Sequence, residues 1–197
     1  VIAGVLIGVW SGRNRSKWQE YTGMTVAVSG ISMPSFWIGF MLIMVFAVKY
    51  RLLPTTGAGS FKNLILPSIT LGVSIAAIIA RFTRSSVIEV MKEDYVRTAR
   101  AKGIGRRSVI YKHALRNALV PIVTVIGMQI PVLFGGAVIV EQLFSWPGLG
   151  LMTMSAILNR DYPVIMGVCL LSAVVVLLAN LVTDIVYAVV NPAIQYD

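Results

Sequence analysis

The chain has 197 residues, of which 57% are hydrophobic and only 13% are charged, and its mean hydropathy is +0.81. These values exclude an ordinary water-soluble domain and indicate a protein whose surroundings are largely lipid. The formal net charge of +9 therefore points less to nucleic acid than to basic loops kept on the cytoplasmic side of a membrane.

The first apolar run, residues 1–10, is too short to cross a bilayer, which takes about 20 mostly apolar residues. A basic cluster follows it at Arg13, Arg15 and Lys17. A signal peptide would carry its positive charge before the apolar run instead. We interpret the run as the end of a membrane helix that begins upstream, and we expect the chain to be a fragment.

Four later runs are long enough to span a membrane, and they cover residues 24–48, 66–82, 118–140 and 163–190. Every backbone N–H and C=O in such a segment must be paired within it, so each is predicted to be helical. Pro67 is expected in the first turn of its helix, where its missing N–H costs nothing. Cys169, in the last run, is expected to be a small buried side chain.

Lysine and arginine are distributed unevenly between alternate loops. Residues 11–20 and 81–117 together hold thirteen of them, whereas the other loops hold four, namely Lys49, Arg51, Lys62 and Arg160. Because cytoplasmic loops carry the excess of Lys and Arg, residues 11–20 and 83–117 are predicted to be cytoplasmic. Residues 141–162 then form an external loop.

The loop 83–117 is too long for a simple connection. Ile88, Met91, Tyr95 and Ala99 recur at helical spacing and predict one apolar stripe with charges on the other faces. Glycines 103 and 105 are expected to end this helix before a second basic helix at about 106–117. Pattern alone leaves three interpretations open: a topological connector, a helix on the membrane surface, or a docking element for a cytoplasmic protein.

Two of the predicted spans contain residues that bend helices or permit close helix contact. These residues are candidates for a bending or pathway-lining role, and ordinary membrane-helix packing is the alternative. The candidates are Pro34, Gly39, Gly127, Gln129, Pro131 and Gly135.

Residue types that carry catalysis or metal binding are sparse. His113 is the only histidine, and no Cys or carboxylate cluster stands near it at ligand spacing. The sequence contains neither a G-x-S-x-G turn nor a G-x-x-x-x-G-K-[ST] phosphate loop. We therefore expect no catalytic residue, no metal site and no cofactor in this chain.

Two segments resemble the same protein family. "EDYVRTARAKGIGRRSVIYKHALRNALVPIVTVIG", residues 93–127, resembles the cytoplasmic loop of the permease subunits of binding-protein-dependent ABC importers, within them the dipeptide, oligopeptide and nickel permeases. "EQLFSWPGLGLMTMSAILNRDYPVIMG", residues 141–167, resembles the external loop of that family, with its F-x-W-P-G-x-G turn and following R-D-Y-P. The similarity extends over essentially the whole chain. The general importer signature is degenerate here, because only Ala99, Gly103 and Leu115 agree with it.

The resemblance implies a type I ABC importer permease fold, all-α and polytopic, with about five membrane helices in this fragment. The chain 1–197 would be a transmembrane domain lacking its N-terminal part, with a coupling loop at 83–117 and an external loop at 141–162. It would form the pathway for di- or oligopeptides. A nickel-chelate or glutathione importer of the same family is an alternative, and a secondary transporter, which would need ion sites near the bilayer midplane, is another.

The resemblance also implies partners in a bacterial inner membrane: a homologous second permease subunit, two cytoplasmic ATPase subunits that bind ATP and Mg²⁺, an external substrate-binding protein and membrane lipid, but no nucleic acid. The implied ATPase-coupling residues are Tyr95, Arg97, Ala99, Arg100, Lys102, Gly103, Ile104 and Arg106. The implied external-loop residues are Glu141, Trp146, Pro147, Gly148, Arg160 and Asp161.

Overall fold

The computed structural model describes residues 1–13, 25, 33–103, 105 and 115–190, and all regular structure in these ranges is helical. The predicted all-α class is confirmed for this part of the chain. In chain order the helices are α1 (Ile2–Arg13), α2 (Ser35–Leu42) continued by a π-helix (Ile43–Lys49), α3 (Phe61–Val90), α4 (Asp94–Ala101), α5 (Leu115–Gly136), α6 (Val138–Phe144), α7 (Leu149–Leu158) and α8 (Tyr162–Val190).

Two helices, α3 and α8, are long and apolar enough to cross a membrane by themselves. Pro121–Leu133 of α5 and Val138–Phe144 of α6 are together long and apolar enough to cross a membrane, and the two helices are bent by 55° relative to each other. The predicted spans at 66–82 and 163–190 therefore correspond to single helices, and the span predicted at 118–140 corresponds to this bent pair of helices. The span predicted at 24–48 lies partly outside the described residues, and its described part is the shorter apolar helix Ser35–Lys49.

Helix α3 begins earlier than predicted. The Ser60 N–H donates to Asn63 Oδ1 at 3.1 Å and the Ser60 hydroxyl donates to the same oxygen at 2.7 Å. This side-chain cap starts the helix at Phe61. The prediction that Pro67 stands in the first turn is therefore wrong, because Pro67 lies buried inside the helix.

The chain forms two compact units, which we describe separately. The first comprises Val1–Gly30, Ile75–Met128 and Asn180–Asp197, and the second comprises Ile31–Ser74 and Gln129–Ala179. The core of the first unit is formed by Val9, Val87, Ala118 and Ile122. The core of the second unit is formed by Ala47, Leu66, Val140 and Phe144.

In the first unit, α1 packs on α3 through glycine. A Cβ on Gly4 would stand 2.6 Å from the carbonyl oxygen of Ala76, and one on Gly12 would stand 3.1 Å from the side chain of Val87. Gly4, Gly8 and Gly12 recur every four residues, and small residues at this spacing allow membrane helices to approach closely.

Helix α8 is covered much less than α3: 6% of its most apolar 18-residue stretch is buried, against 33% in α3. Cys169 is exposed on this helix, so the expectation that it is buried is wrong. A small apolar side chain is equally compatible with a lipid-facing position, and the sequence does not distinguish the two environments.

Candidate functional site

The predicted coupling segment begins with a break between two helices. Helix α3 ends at Val90 and α4 begins at Asp94. The N–H groups of Val96 and Arg97 donate to the Glu93 carbonyl oxygen at 3.1 and 3.2 Å, which marks the start of a new helix. The prediction of one continuous helical stripe from Ile88 to Ala99 is therefore wrong, because the break resets the helical phase.

Helix α4 turns one apolar face toward its own chain. Val96 is 0% exposed and Ala99 is 8% exposed, and Met91 packs against both. Tyr95, predicted as part of the apolar stripe, is 39% exposed, and Val96 takes the inward position instead. The chain itself thus covers Ala99, a predicted contact residue for the ATPase, whereas Tyr95 remains accessible.

The other face of α4 is polar and exposed. Arg97 Nη1 lies 3.6 Å from Asp94 Oδ1, with both side chains largely in solvent. Such an ion pair contributes little to stability, so Arg97 can exchange it for a partner's carboxylate. Lys102 is also exposed. Arg100 lies on α4 but its side chain is not described, and Ile104 and Arg106 lie outside the described residues.

Gly103 follows the end of α4, as the sequence predicts. The preceding Lys102 N–H donates to the Thr98 carbonyl oxygen at 3.0 Å. Gly103 has φ +78°, and a Cβ there would meet no atom of the described residues within 4 Å. Glycine is thus favoured by the left-handed backbone, and the described part of the chain places nothing against it.

The pathway candidate Gly127 lies at a contact between α5 and α8. A Cβ on Gly127 would overlap the Thr183 hydroxyl oxygen and stand 2.9 Å from Thr183 Cγ2. Near this contact, the Tyr187 hydroxyl of α8 donates a hydrogen bond to Thr124 Oγ1 of α5. Gly127 therefore permits helix contact, and the bend of this span lies between Leu133 and Val138 instead.

The remaining pathway candidates differ in their surroundings. Gly135 lies in the last turn of α5, where the span bends, while Gln129 and Pro131 are half-buried earlier in α5. Gly39 is buried, and a Cβ there would stand 2.7 Å from Leu143 Cδ2. Pro34 has an extended backbone and immediately precedes α2. It therefore marks the start of this helix and does not bend it. A role in lining the pathway stays a prediction for all of them.

The predicted external segment opens with a sharp turn between α6 and α7. Ser145 adopts a left-handed conformation with φ +49°. The Trp146 N–H donates to the Glu141 carbonyl oxygen at 2.8 Å, and the Glu141 carboxylate accepts the Leu151 N–H at 2.8 Å. Trp146 is half-buried and Pro147 is exposed. The W-P-G sequence thus forms the corner between the two helices.

Two glycines make room for this arrangement. Gly148 is extended, with φ −123° and ψ 176°, so its backbone does not require glycine, but a Cβ there would overlap the Glu141 carboxylate. At Gly150 a Cβ would stand 2.6 Å from Val138 Cγ2 and 2.7 Å from Val138 Cα. Sequence reasoning missed Gly150, although the G-x-G spacing of the quoted motif was the signal that could have found it.

A second turn joins α7 to α8 through Arg160 and Asp161. Arg160 has φ +56°, and the Asp161 N–H donates to the Ala156 carbonyl oxygen at 2.8 Å. Asp161 Oδ1 accepts the Val164 N–H at 3.2 Å, which makes Asp161 the N-cap of α8. Both side chains are exposed. The R-D-Y-P motif therefore has a structural role, and docking at this turn stays a prediction.

Comparison with known proteins decides the family. Residues 4–196 match the family described as binding-protein-dependent transport system inner membrane component. The chain belongs to this family. Membership confirms the resemblance found in the two motifs and the type I ABC permease fold. Members of this family are inner-membrane components of transport systems, and the chain is accordingly part of a multi-pass inner-membrane protein.

Individual permeases are also similar to this chain. The glutathione transport system permease protein GsiC of Escherichia coli (strain K12) is 50% identical over 194 residues, which cover 98% of this chain and 62% of that protein. The protein of the same name from Salmonella choleraesuis (strain SC-B67) is 48% identical over 196 residues, covering 100% of this chain and 64% of that protein. The chain thus spans less than two thirds of these permeases.

Proposed function

We propose that the full-length protein is a permease subunit of an ATP-driven importer, and that its substrate is glutathione or a peptide of similar size. The observation that carries the substrate class is the 50% identity, over 98% of this chain, to a protein named as a glutathione transport permease. Glutathione is itself a tripeptide, so the proposal narrows the broader expectation of di- and oligopeptides. The proposed partners are a second permease subunit, two ATPase subunits and an external binding protein.

The ATPase subunits would act on the permease through α4. ATP binding would close the ATPase subunits on each other, and a rigid helix seated on them would be displaced. Exposed Tyr95, Arg97 and Lys102 would face the ATPase, with the open space at Gly103 allowing close seating. The basic side chains favour an acidic groove on that partner.

Met91 offers a route from α4 to the membrane helices. It packs against Val96 and Ala99 of α4, and it also packs against the core in which Val87 of α3 meets Ile122 of α5. Close-packed side chains pass a displacement on, because the interior is nearly incompressible. A push on α4 would therefore reach α3 and α5 through Met91.

Transport in proteoliposomes tests the proposal. The full-length permease pair, ATPases and binding protein are reconstituted, and uptake of labelled glutathione is compared with ATP and with an imposed proton or sodium gradient. We expect uptake with ATP only, and we expect unlabelled glutathione to compete better than a dipeptide, an octapeptide or a nickel chelate. Uptake driven by the gradient alone would overturn the importer class, and preferential competition by another solute would overturn the glutathione assignment.

A further inference from the structure

Glu141 holds both sides of the corner between α6 and α7. Its carbonyl oxygen accepts the Trp146 N–H at 2.8 Å, which closes the turn. Its carboxylate accepts the Leu151 N–H at 2.8 Å, near the start of α7. One residue on α6 therefore fixes the turn with its backbone and the next helix with its side chain.

The first turn of α7 needs such an acceptor. The first four N–H groups of a helix have no partner within it, and the residue before α7, Gly148, has no side chain to supply one. A carboxylate at this position also interacts favourably with the helix dipole. Glu141 thus supplies from α6 the cap that α7 lacks in its own sequence.

Gly148 is glycine because of this carboxylate. Its extended backbone is available to any residue, yet a Cβ would occupy the place of the Glu141 carboxyl group. Gly150 is different, because a Cβ there would first meet Cγ2 and Cα of Val138, at 2.6 and 2.7 Å, with Glu141 Oε2 farther away at 3.0 Å. A change at Glu141 removes only the last of these contacts. The two glycines of one motif therefore depend on Glu141 to different degrees.

We propose that Glu141 is a positioning residue that locks α7 to α6, so that the segment 141–162 meets the substrate-delivering binding protein as one rigid piece. This inference rests on the proposed function for the delivery step. The lock itself depends only on the geometry of Glu141, Gly148 and Leu151.

The transport test uses single and double variants in the reconstituted full complex, with glutathione as the probe. Glu141→Ala removes a hydrogen bond to a charged group, so we expect the binding-protein concentration for half-maximal uptake to rise about tenfold. The maximal rate should change much less. Glu141→Gln keeps an acceptor oxygen and should restore most of the loss. A fall in maximal rate with unchanged half-saturation would overturn the proposal.

The two glycines provide a matched pair. Gly148→Ala should be as harmful as Glu141→Ala, but Gly148→Ala should add nothing in the Glu141→Ala background, because the carboxylate it displaces is already gone. Gly150→Ala should remain fully harmful in that background. If the Gly148→Ala and Glu141→Ala effects simply add, the lock does not exist.

Hydrogen exchange in the membrane-embedded protein separates this inference from the proposed function. Glu141→Ala should speed exchange of the amides at residues 149–153, and Glu141→Gln should not. Unchanged exchange in the Ala variant would overturn the lock even if glutathione is transported. Absence of ATP-driven uptake by the wild type would overturn the proposed function, and the exchange measurement would still decide the lock.

Discussion

Gly8 of α1 lies against Ala80 of α3 with no room for a side chain between them: a Cβ on Gly8 would stand 2.6 Å from the Ala80 carbonyl oxygen. A backbone oxygen within a helix cannot rotate away as a side chain can. Gly4 and Gly12 occupy the same face of α1. Helix α1 is therefore seated closely on α3 over about two turns.

Substitution at this contact should destabilise the protein. Gly8→Ala should force α1 away from α3 and cost about 1–3 kcal/mol, as overpacking usually does. Gly72→Ala is the matched control, because Gly72 is also helical, in α3, but a Cβ there would have no neighbour within 4 Å among the residues that the structure describes. That change should be neutral or stabilise by up to about 1 kcal/mol. Thermal unfolding of the purified full-length permease measures both, and equal effects would contradict the packing described.

Substitutions at Gly103 distinguish an effect of backbone strain from an effect on binding of α4 to a partner. Asp and Asn tolerate the left-handed conformation better than most residues, so Gly103→Asp and Gly103→Asn should both leave the protein folded. Gly103→Asp should still lower ATP-driven uptake by about tenfold, equivalent to about 1.4 kcal/mol, because a carboxylate would obstruct an acidic groove. Gly103→Asn should lower it less.

The control for Gly103 is Gly57, which has φ +95° in the other unit. Gly57→Asp introduces the same side chain at a similar backbone conformation, on the side predicted to face away from the ATPases. It should leave the coupling of uptake to ATP hydrolysis unchanged. Wild-type uptake by Gly103→Asp, or equal losses in both variants, would contradict a coupling role for Gly103.

Substitutions at Asp161 show whether this residue only caps α8 or also binds the external binding protein. Asp161→Ala removes the acceptor for the Val164 N–H and should lower stability by about 1 kcal/mol. Asn caps helices about as well as Asp, so Asp161→Asn should match the wild type in thermal stability and in uptake. A stable Asn variant that no longer responds to the binding protein would show that the charge docks the partner.

The hydrogen bond between Tyr187 and Thr124 should contribute to holding α8 on α5. Tyr187→Phe should cost about 0.5–1.5 kcal/mol of stability, and Thr124→Val a similar amount. Because both changes remove the same bond, the double variant should be little worse than either single one. Thermal unfolding of the three variants measures this, and costs that add fully would mean that the two side chains act independently.

The sequence predicted well those features that depend on neighbouring residues. Long apolar runs located α3 and α8, and the glycine after α4 marked its end at Gly103. Two local motifs were enough to identify the family. Each of these signals is contained in one continuous stretch, where hydrophobicity, spacing or backbone freedom acts directly.

Features that depend on contacts between distant residues were not predicted. The glycine face of α1 has meaning only beside Ala76 and Ala80, and Gly148 only beside the carboxylate of Glu141. The inward face of α4 was assigned to Tyr95 because the pattern was followed through the break at residues 91–93. One local signal was also missed: Ser60 and Asn63 cap α3, so that the helix starts at Phe61 and Pro67 lies inside it.

We propose that the ATPase subunits hold α4. A photo-crosslinking amino acid at Lys102, which is exposed after α4, tests it in native membranes that contain the whole transporter, and the same group at exposed Lys49 is the control. We predict that the group at Lys102 captures an ATPase subunit and that the group at Lys49 does not. Capture of phospholipid alone at Lys102 would show that α4 lies on the membrane surface and is not bound to an ATPase subunit.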